Sequence, residues 1–204
     1  MEENGAQRIK LPSTPARPGL AGRLEHLDHR VFRFCYETTK NPLFDAIMPL
    51  LSNAANRGLL QIATSTILIT AGLALKEERF CRAAYCLLAA TGLSGLIAET
   101  VIKAFWKRKR PFDKLEGVER RVKDRRLLRR PSFPSGHAAG YMAAGVALAV
   151  FFPQGAPAFV IVALLGGYSR TYNGVHFPSD VAAGLLLGAA CGAVVAEYLP
   201  RILP

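Results

Sequence analysis

From Ala138 to Ser169 the chain carries no charged residue, and Pro153-Gln154-Gly155-Ala156-Pro157 breaks that run in its middle. A stretch of this length is too long for one helix of a small soluble domain. It reads as two apolar helices joined by a tight turn, each of about the length a bilayer requires. Three further apolar runs accompany it: Gly58 to Leu75, Ala83 to Ala98, and Val181 to Ala196. Half of the sequence is apolar although the net charge is +11, so the charge must be segregated from these runs. The expected fold is therefore all-α: a polytopic membrane helix bundle of five transmembrane helices, or six if the short apolar stretch 43–51 also crosses. Gly and Ala recur along the runs, as in Ala143-Ala144-Gly145 and Gly188-Ala189-Ala190, which favours close helix packing in lipid. A soluble protein with buried apolar helices is the alternative that the uncharged stretch weighs against.

Counting spans brings separated residues together. Lys103 follows the second run, His137 precedes the third, Ser169-Arg170 ends the fourth, and Asp180 begins the fifth. Antiparallel threading puts all four points on one face of the membrane. The residue types found there suit one ligand. A phosphoryl group in transfer spreads negative charge over three equatorial oxygens, which cationic donors fixed in advance can stabilise. Lys103, Arg110 and Arg170 are such donors, the arginines as bidentate forks and the lysine as a point charge. Ser135 adds a hydroxyl, and Gly136 lets backbone N–H groups approach an anion at what reads as a helix N-terminus. His176 stands four residues before Asp180. A carboxylate holding one ring nitrogen would fix the tautomer and leave the other nitrogen as a nucleophile. His137 is then the general acid for the leaving oxygen. Any one of these positions alone would read as a turn, a helix cap or a membrane-flanking cation; their occurrence together in order favours catalysis.

Written as K-x6-R-P, P-S-G-H and S-R-x5-H-x3-D, the three blocks between Lys103 and Asp180 resemble the signature of the type 2 phosphatidic acid phosphatase superfamily of membrane lipid phosphatases. The resemblance implies metal-independent hydrolysis of a lipid phosphate monoester or diphosphate through a phosphohistidine, with catalytic His176, His137 and Asp180 and phosphate-binding Lys103, Arg110, Ser135, Gly136 and Arg170. Candidate substrates are phosphatidate, phosphatidylglycerophosphate and polyprenyl phosphates or diphosphates. No cofactor and no metal are expected. Vanadium haloperoxidases resemble the same pattern, and a non-catalytic scaffold of the same fold is a third reading.

The remaining regions divide simply. Residues 1–19, with Pro12, Pro15 and Pro18, read as a disordered polar tail without a signal-peptide core. Residues 20–56 read as amphipathic interfacial helices, with Leu24, Leu27, Val31, Phe34 and Cys35 at helical spacing. His26 and His29 there read as surface residues. Residues 57–204 form the phosphatase-like membrane domain. Cys35, Cys81, Cys86 and Cys191 show neither disulfide nor zinc-ligand spacing. The 103–133 loop holds thirteen Lys and Arg residues. Anionic lipid headgroups beside the site, or a mark of the cytoplasmic side, explain them better than nucleic acid does, because no interleaved aromatics or reading motif accompany them. With five spans, 22 basic residues share the face of the site and four lie opposite, which puts the site in the cytoplasm of a bacterial inner membrane. The family resemblance points instead to the outer face.

Overall fold

The structure, a computed structural model, describes residues 9–10, 18–54 and 58–202, and among them every regular element is helical. Most of the 1–19 tail lies outside the described residues. Helix α1 (Leu20–Arg33) runs on through a π turn, Phe34–Thr38, and is followed by α2 (Pro42–Ala54) and α3 (Leu59–Leu75). Helix α4 starts at Glu78 and continues past Leu96 through a π turn to Phe105, so the short second apolar run does extend to Lys103. After a one-turn helix α5 (Pro111–Lys114) come α6 (Gly136–Phe151), α7 (Ala156–Tyr172) and α8 (Pro178–Tyr198). Pro153–Gly155 form the tight connection inside the long uncharged stretch. Among the described residues, α4 and the segment Pro178–Arg201 are long and apolar enough to cross a membrane, and α3 and α6 are apolar but shorter.

Helix α6 is the centre of the bundle, packed against α4, α7 and α8. Its contact with α8 depends on glycines one turn apart. Gly184, Gly188 and Gly192 face the backbone oxygens of Ser135, Ala139 and Ala143, which are themselves four residues apart. A Cβ at Gly184 or Gly188 would collide with the facing carbonyl, and one at Gly192 would lie 2.8 Å from Val146 Cβ. The small-residue stripes seen in the sequence are thus the surfaces on which two backbones meet. The interior is correspondingly fine-grained: Ala83, Ala84, Ala90, Ala138, Ala139, Ala143, Ala147 and Ala163 are fully buried. Large aliphatics point outward instead, including Ile62, Ile67 and Leu73 on α3 and Ile161, Val162 and Leu164 on α7. Such an inside-out distribution suits lipid, since in water those faces would be costly.

Helix α2 packs on α7. The core supplies donors to carbonyls of its second half, including two of the last four, which no later residue of the helix can reach. Asn173 Nδ2 donates to Met48 O (3.0 Å), Tyr141 Oη to Leu51 O (2.6 Å) and Arg170 Nη1 to Ser52 O (3.3 Å). Helix α1 caps the site end of the bundle with Phe32, which stacks on Tyr36 and meets Phe177 edge-on among Ile9, Leu115 and Val118. One expectation fails here. His29 is buried, its ring 5.1 Å from that of Phe177, because the polar-looking face of α1 turns inward onto the 103–133 loop. Burial, with Lys114 close by, lowers its pKa below the ordinary value. His26 is half-buried.

Gly188→Val should cost at least about 2 kcal/mol of stability, because a backbone carbonyl, not a mobile side chain, occupies the space. Gly92, whose Cβ would meet nothing within 4 Å, should tolerate alanine with no loss. Thermal unfolding of the two purified variants in detergent measures the contrast.

Candidate active site

The N-termini of α6 and α8 lie side by side, joined by a hydrogen bond from Ser135 N to Asp180 O (2.9 Å). Pro178 opens α8 with a preset backbone angle, and Asp180 Oδ2 accepts from the Phe177 amide (2.9 Å), which caps the helix. Both positive helix ends therefore meet at one place. The loop between α7 and α8 carries His176 into that place, with the Val175 and His176 amides donating to Arg170 O (3.1 and 3.3 Å).

His176 is 2 % exposed and its two ring nitrogens have different neighbours. Arg110 Nη1 lies 3.1 Å from Nε2, and the same guanidinium donates to the carbonyls of Val175, Arg130 and Pro131 (2.8, 3.0 and 3.1 Å). A guanidinium only donates, so Nε2 must be the unprotonated nitrogen and Nδ1 must carry the hydrogen. Nδ1 faces Ser132 Oγ at 3.4 Å and Asp180 Oδ2 at 3.7 Å. The direct carboxylate–imidazole hydrogen bond expected from the four-residue spacing is therefore not formed, since 3.7 Å exceeds hydrogen-bond reach. Ser132 stands between them, donating to Asp180 Oδ2 at 2.5 Å. Burial pushes the His176 pKa well below 6.5, and the charges of Arg110, Arg170 and Lys103 push the same way. Arg110 itself is pulled down to about 10 by burial, which still leaves it charged at neutral pH.

A cavity of about 300 Å³ opens beside the histidine, and Lys103, Arg110, Gly136, His137 and His176 all line it. Five of the eight sequence-derived candidates thus share one cavity. The other three stand behind it. Ser135 is fully buried and its Oγ accepts from Ala138 N (3.4 Å), which makes it a helix cap. Arg170 is 1 % exposed and bonded to Ser52, acting on His176 by its charge. Asp180 is fully buried.

Four residues escaped the sequence reading. Ser132 links the carboxylate to the histidine. Arg108 donates to Asp180 Oδ1 (2.7 Å), to Ser179 Oγ (2.7 Å) and to Asp28 Oδ2 (2.6 Å), with its guanidinium 4.4 Å from the Phe177 ring centroid. Burial opposes its charge, but Asp180 and Asp28 raise its pKa above the ordinary arginine value. Asp28, on α1, also accepts from Ser179 N (2.9 Å) and Ser179 Oγ (2.6 Å). Glu99, one turn before Lys103, pairs with Lys103 Nζ and with Arg130 Nη1 (2.8 Å) and rests against Gly136. An anion of the chain itself therefore sits at the N-terminus of α6, among the cations. The only sequence signal for Arg108 and Ser132 was their position within the charged blocks, and Asp28 lay some 80 residues from its partner.

The sequence model of the PAP2 superfamily matches residues 83–203, which cover the site from α4 onward. The chain belongs to the PAP2 superfamily. Its segments are 47% identical over 58 residues to lipid A 1-phosphatase of Rhizobium johnstonii, 28% of this chain and 24% of that protein. They are 47% identical over 64 residues to decaprenylphosphoryl-5-phosphoribose phosphatase of Mycobacterium tuberculosis, 31% of this chain and 35% of that protein. The matched segments thus span about a quarter to a third of these curated relatives. The crystal structure of Aquifex aeolicus LpxE superposes with a TM-score of 0.66 at 27% identity, covering 84% of this chain and 96% of that one. The transmembrane PAP2-type phosphatidylglycerolphosphate phosphatase of Bacillus subtilis shares the fold, with a TM-score of 0.65 at 23% identity, covering 89% and 88%. This PAP2 chain is accordingly an all-helical membrane protein.

The lowered pKa makes a prediction about the resting protein. At pH 6.5, where an ordinary imidazole is half protonated, His176 should remain neutral with its proton on Nδ1. Its folded pKa lies below its unfolded one, so this group's contribution to stability is complete above pH 6.5 and is lost progressively as the pH falls from there through the lower folded pKa. Nitrogen-15 shifts of labelled histidine, assigned by a His176→Gln control, measure both the tautomer and the titration.

Proposed function

We propose that this protein is a membrane phosphatase that releases phosphate from a lipid phosphate monoester or diphosphate through a covalent phosphohistidine. The observation that carries the reading is that His176 lines one cavity with Lys103 and Arg110, its unprotonated Nε2 held by Arg110 and the charge of Arg170 behind it. Nε2 attacks phosphorus, the bond to the lipid oxygen breaks, and His137 donates the proton that the departing oxygen takes. Water then attacks the phosphohistidine, giving a proton to His137, and inorganic phosphate leaves. The charge that develops on the equatorial oxygens is met by Lys103 and Arg110 and by the open amides at Gly136. Positive charge does here what a metal does elsewhere, so turnover should survive chelation. Relatives named as a lipid A 1-phosphatase and a decaprenylphosphoryl-5-phosphoribose phosphatase support a lipid phosphate as the substrate.

The site opens at the membrane face that α4, α6 and α8 share, and we take residues 57–204 to be the domain that spans the bilayer five times. Helices α1 and α2 would lie at its surface. Within the loop, Arg108, Arg110 and Arg121 are engaged in protein contacts, whereas Lys107, Lys109, Lys123 and Arg129 are exposed. Among the described side chains of the loop, those four are available to anionic lipid headgroups. The excess of basic residues assigns this face to the cytoplasm of a bacterial inner membrane.

Two experiments test this. On an activated aryl phosphate, whose leaving group needs little protonation, His137→Ala should retain far more activity than His176→Ala, which should be inactive on every substrate. Equal residual rates would dissolve the division of roles. For sidedness, a cysteine-poor variant with a single cysteine at Lys123 should resist an impermeant thiol reagent on intact cells and react after lysis. Labelling before lysis would reverse the orientation.

A further inference from the structure

The cavity beside His176 continues past the cations. On α4 its lining residues are Thr91, Gly95, Glu99 and Lys103, four apart, so one stripe of the helix leads from the charged end toward the middle of the bundle. On α6 the lining passes from Gly136 and His137 to Gly140, and Gln61 of α3 completes the wall. Gln61 is 5 % exposed, and among the described residues its Oε1 and the Oγ1 of Thr91 are buried without a hydrogen-bond partner. Both side chains converge on Gly140: a Cβ there would lie 3.5 Å from Thr91 Cγ2 and 3.8 Å from Gln61 Nε2. Gly95, on the same stripe of α4, has nothing within 4 Å of its would-be Cβ, so room remains in front of them.

A buried amide and hydroxyl left unpaired inside a helix bundle are costly, and both residues belong to the wall of this cavity, within a side-chain rotation of its open space. We infer that Gln61 and Thr91 form a subsite for a hydroxyl group on the alcohol portion of the substrate, which selects lipid phosphates whose ester carbon belongs to a glycerol or a sugar over those esterified to a polyprenyl chain. The inference rests on the phosphatase reading and narrows it. Gln61 Oε1 accepts the substrate hydroxyl, and Thr91 Oγ1 donates to or accepts from the same group. The reach is right: Gly140 lies four residues from Gly136, about 6 Å along the helix, enough to span phosphorus and a hydroxyl on the neighbouring carbon. A polyprenyl phosphate offers only hydrocarbon at that distance and would leave both groups unpaired. A site built to bond a hydroxyl rejects the analogue that lacks it much more strongly than an apolar pocket rejects an extra methylene.

The test uses the full-length protein in detergent micelles and a pair of lipids differing in one atom: phosphatidylglycerophosphate and its counterpart lacking the central hydroxyl of the phosphorylated glycerol. Phosphate release should favour the hydroxyl-bearing lipid by about tenfold or more in kcat/KM. In Gln61→Met with Thr91→Val, substitutions close in size to the originals, the ratio should fall toward one because the hydroxyl-bearing lipid loses more of its kcat/KM than the deoxy lipid does. The wild-type comparison does not depend on the variants folding. Equal wild-type rates on the two lipids would overturn the subsite, as would variants that slow both lipids alike. Release from polyprenyl phosphate but from neither glycerol lipid would also overturn it and leave the phosphatase reading standing. No release from any lipid phosphate would refute that reading, and the subsite with it.

Discussion

The site depends on one buried carboxylate. Asp180 has no exposed surface, and a charge taken out of water is tolerated only when its lone pairs are occupied. Here they are filled from three directions: the Phe177 amide from its own helix, Ser132 from the loop ahead of α6, and Arg108 from the loop after α4. Its backbone oxygen holds Ser135 at the start of α6. Three separate pieces of chain are therefore fixed relative to each other by one residue, and His176 is positioned among them without a direct bond to the carboxylate. Asp28 carries the network one step further, tying α1 to the same arginine and to the N-terminal turn of α8. Since removing one partner would strand a buried charge, the network should respond as a unit.

The field around His176 follows from this arrangement. Arg110 is held by three backbone carbonyls and turns one nitrogen toward Nε2. A cationic neighbour on one side and a hydroxyl and carboxylate on the other impose a tautomer, and burial among cations keeps the ring neutral. A neutral imidazole with an unprotonated Nε2 is what attack on phosphorus requires; here that lone pair accepts from Arg110, which has to turn to the phosphate oxygens before Nε2 can attack. Glu99 meanwhile pairs with both Lys103 and Arg130, so a carboxylate of the chain itself occupies part of the cationic end of the cavity.

Much of this was legible in the residues. Uncharged runs located α3, α4, α6, α7 and α8, since lipid leaves no freedom in where charge can go, and span parity alone brought Lys103, His137, Arg170 and Asp180 to one end. Composition carried no trace of the contacts between distant segments. The pairing of Asp28 with Arg108 joins an amphipathic helix to a charged loop, and the burial of His29 is set by how α1 docks, which periodicity cannot reveal. Spacing was misleading once: His176 and Asp180 stand four apart, but the histidine lies before the helix begins at Pro178, so the pair does not meet as two helical residues would. The basic loop likewise looked like a uniform charge patch. Arg108, Arg110 and Arg121 turn out to be internal struts, the last stacked on Tyr36 and Tyr172 at 4.1 and 4.5 Å.

The account stands on a covalent phosphoryl group at Nε2 of His176. Rapid quenching of turnover with a radiolabelled activated aryl phosphate, whose leaving group needs little protonation, in a His137→Ala background that slows hydrolysis of the intermediate, followed by peptide mapping under alkaline conditions, tests it most directly. The account predicts acid-labile label on the peptide containing His176 and located on Nε2. Label on another residue, or none while phosphate is still released, would contradict it.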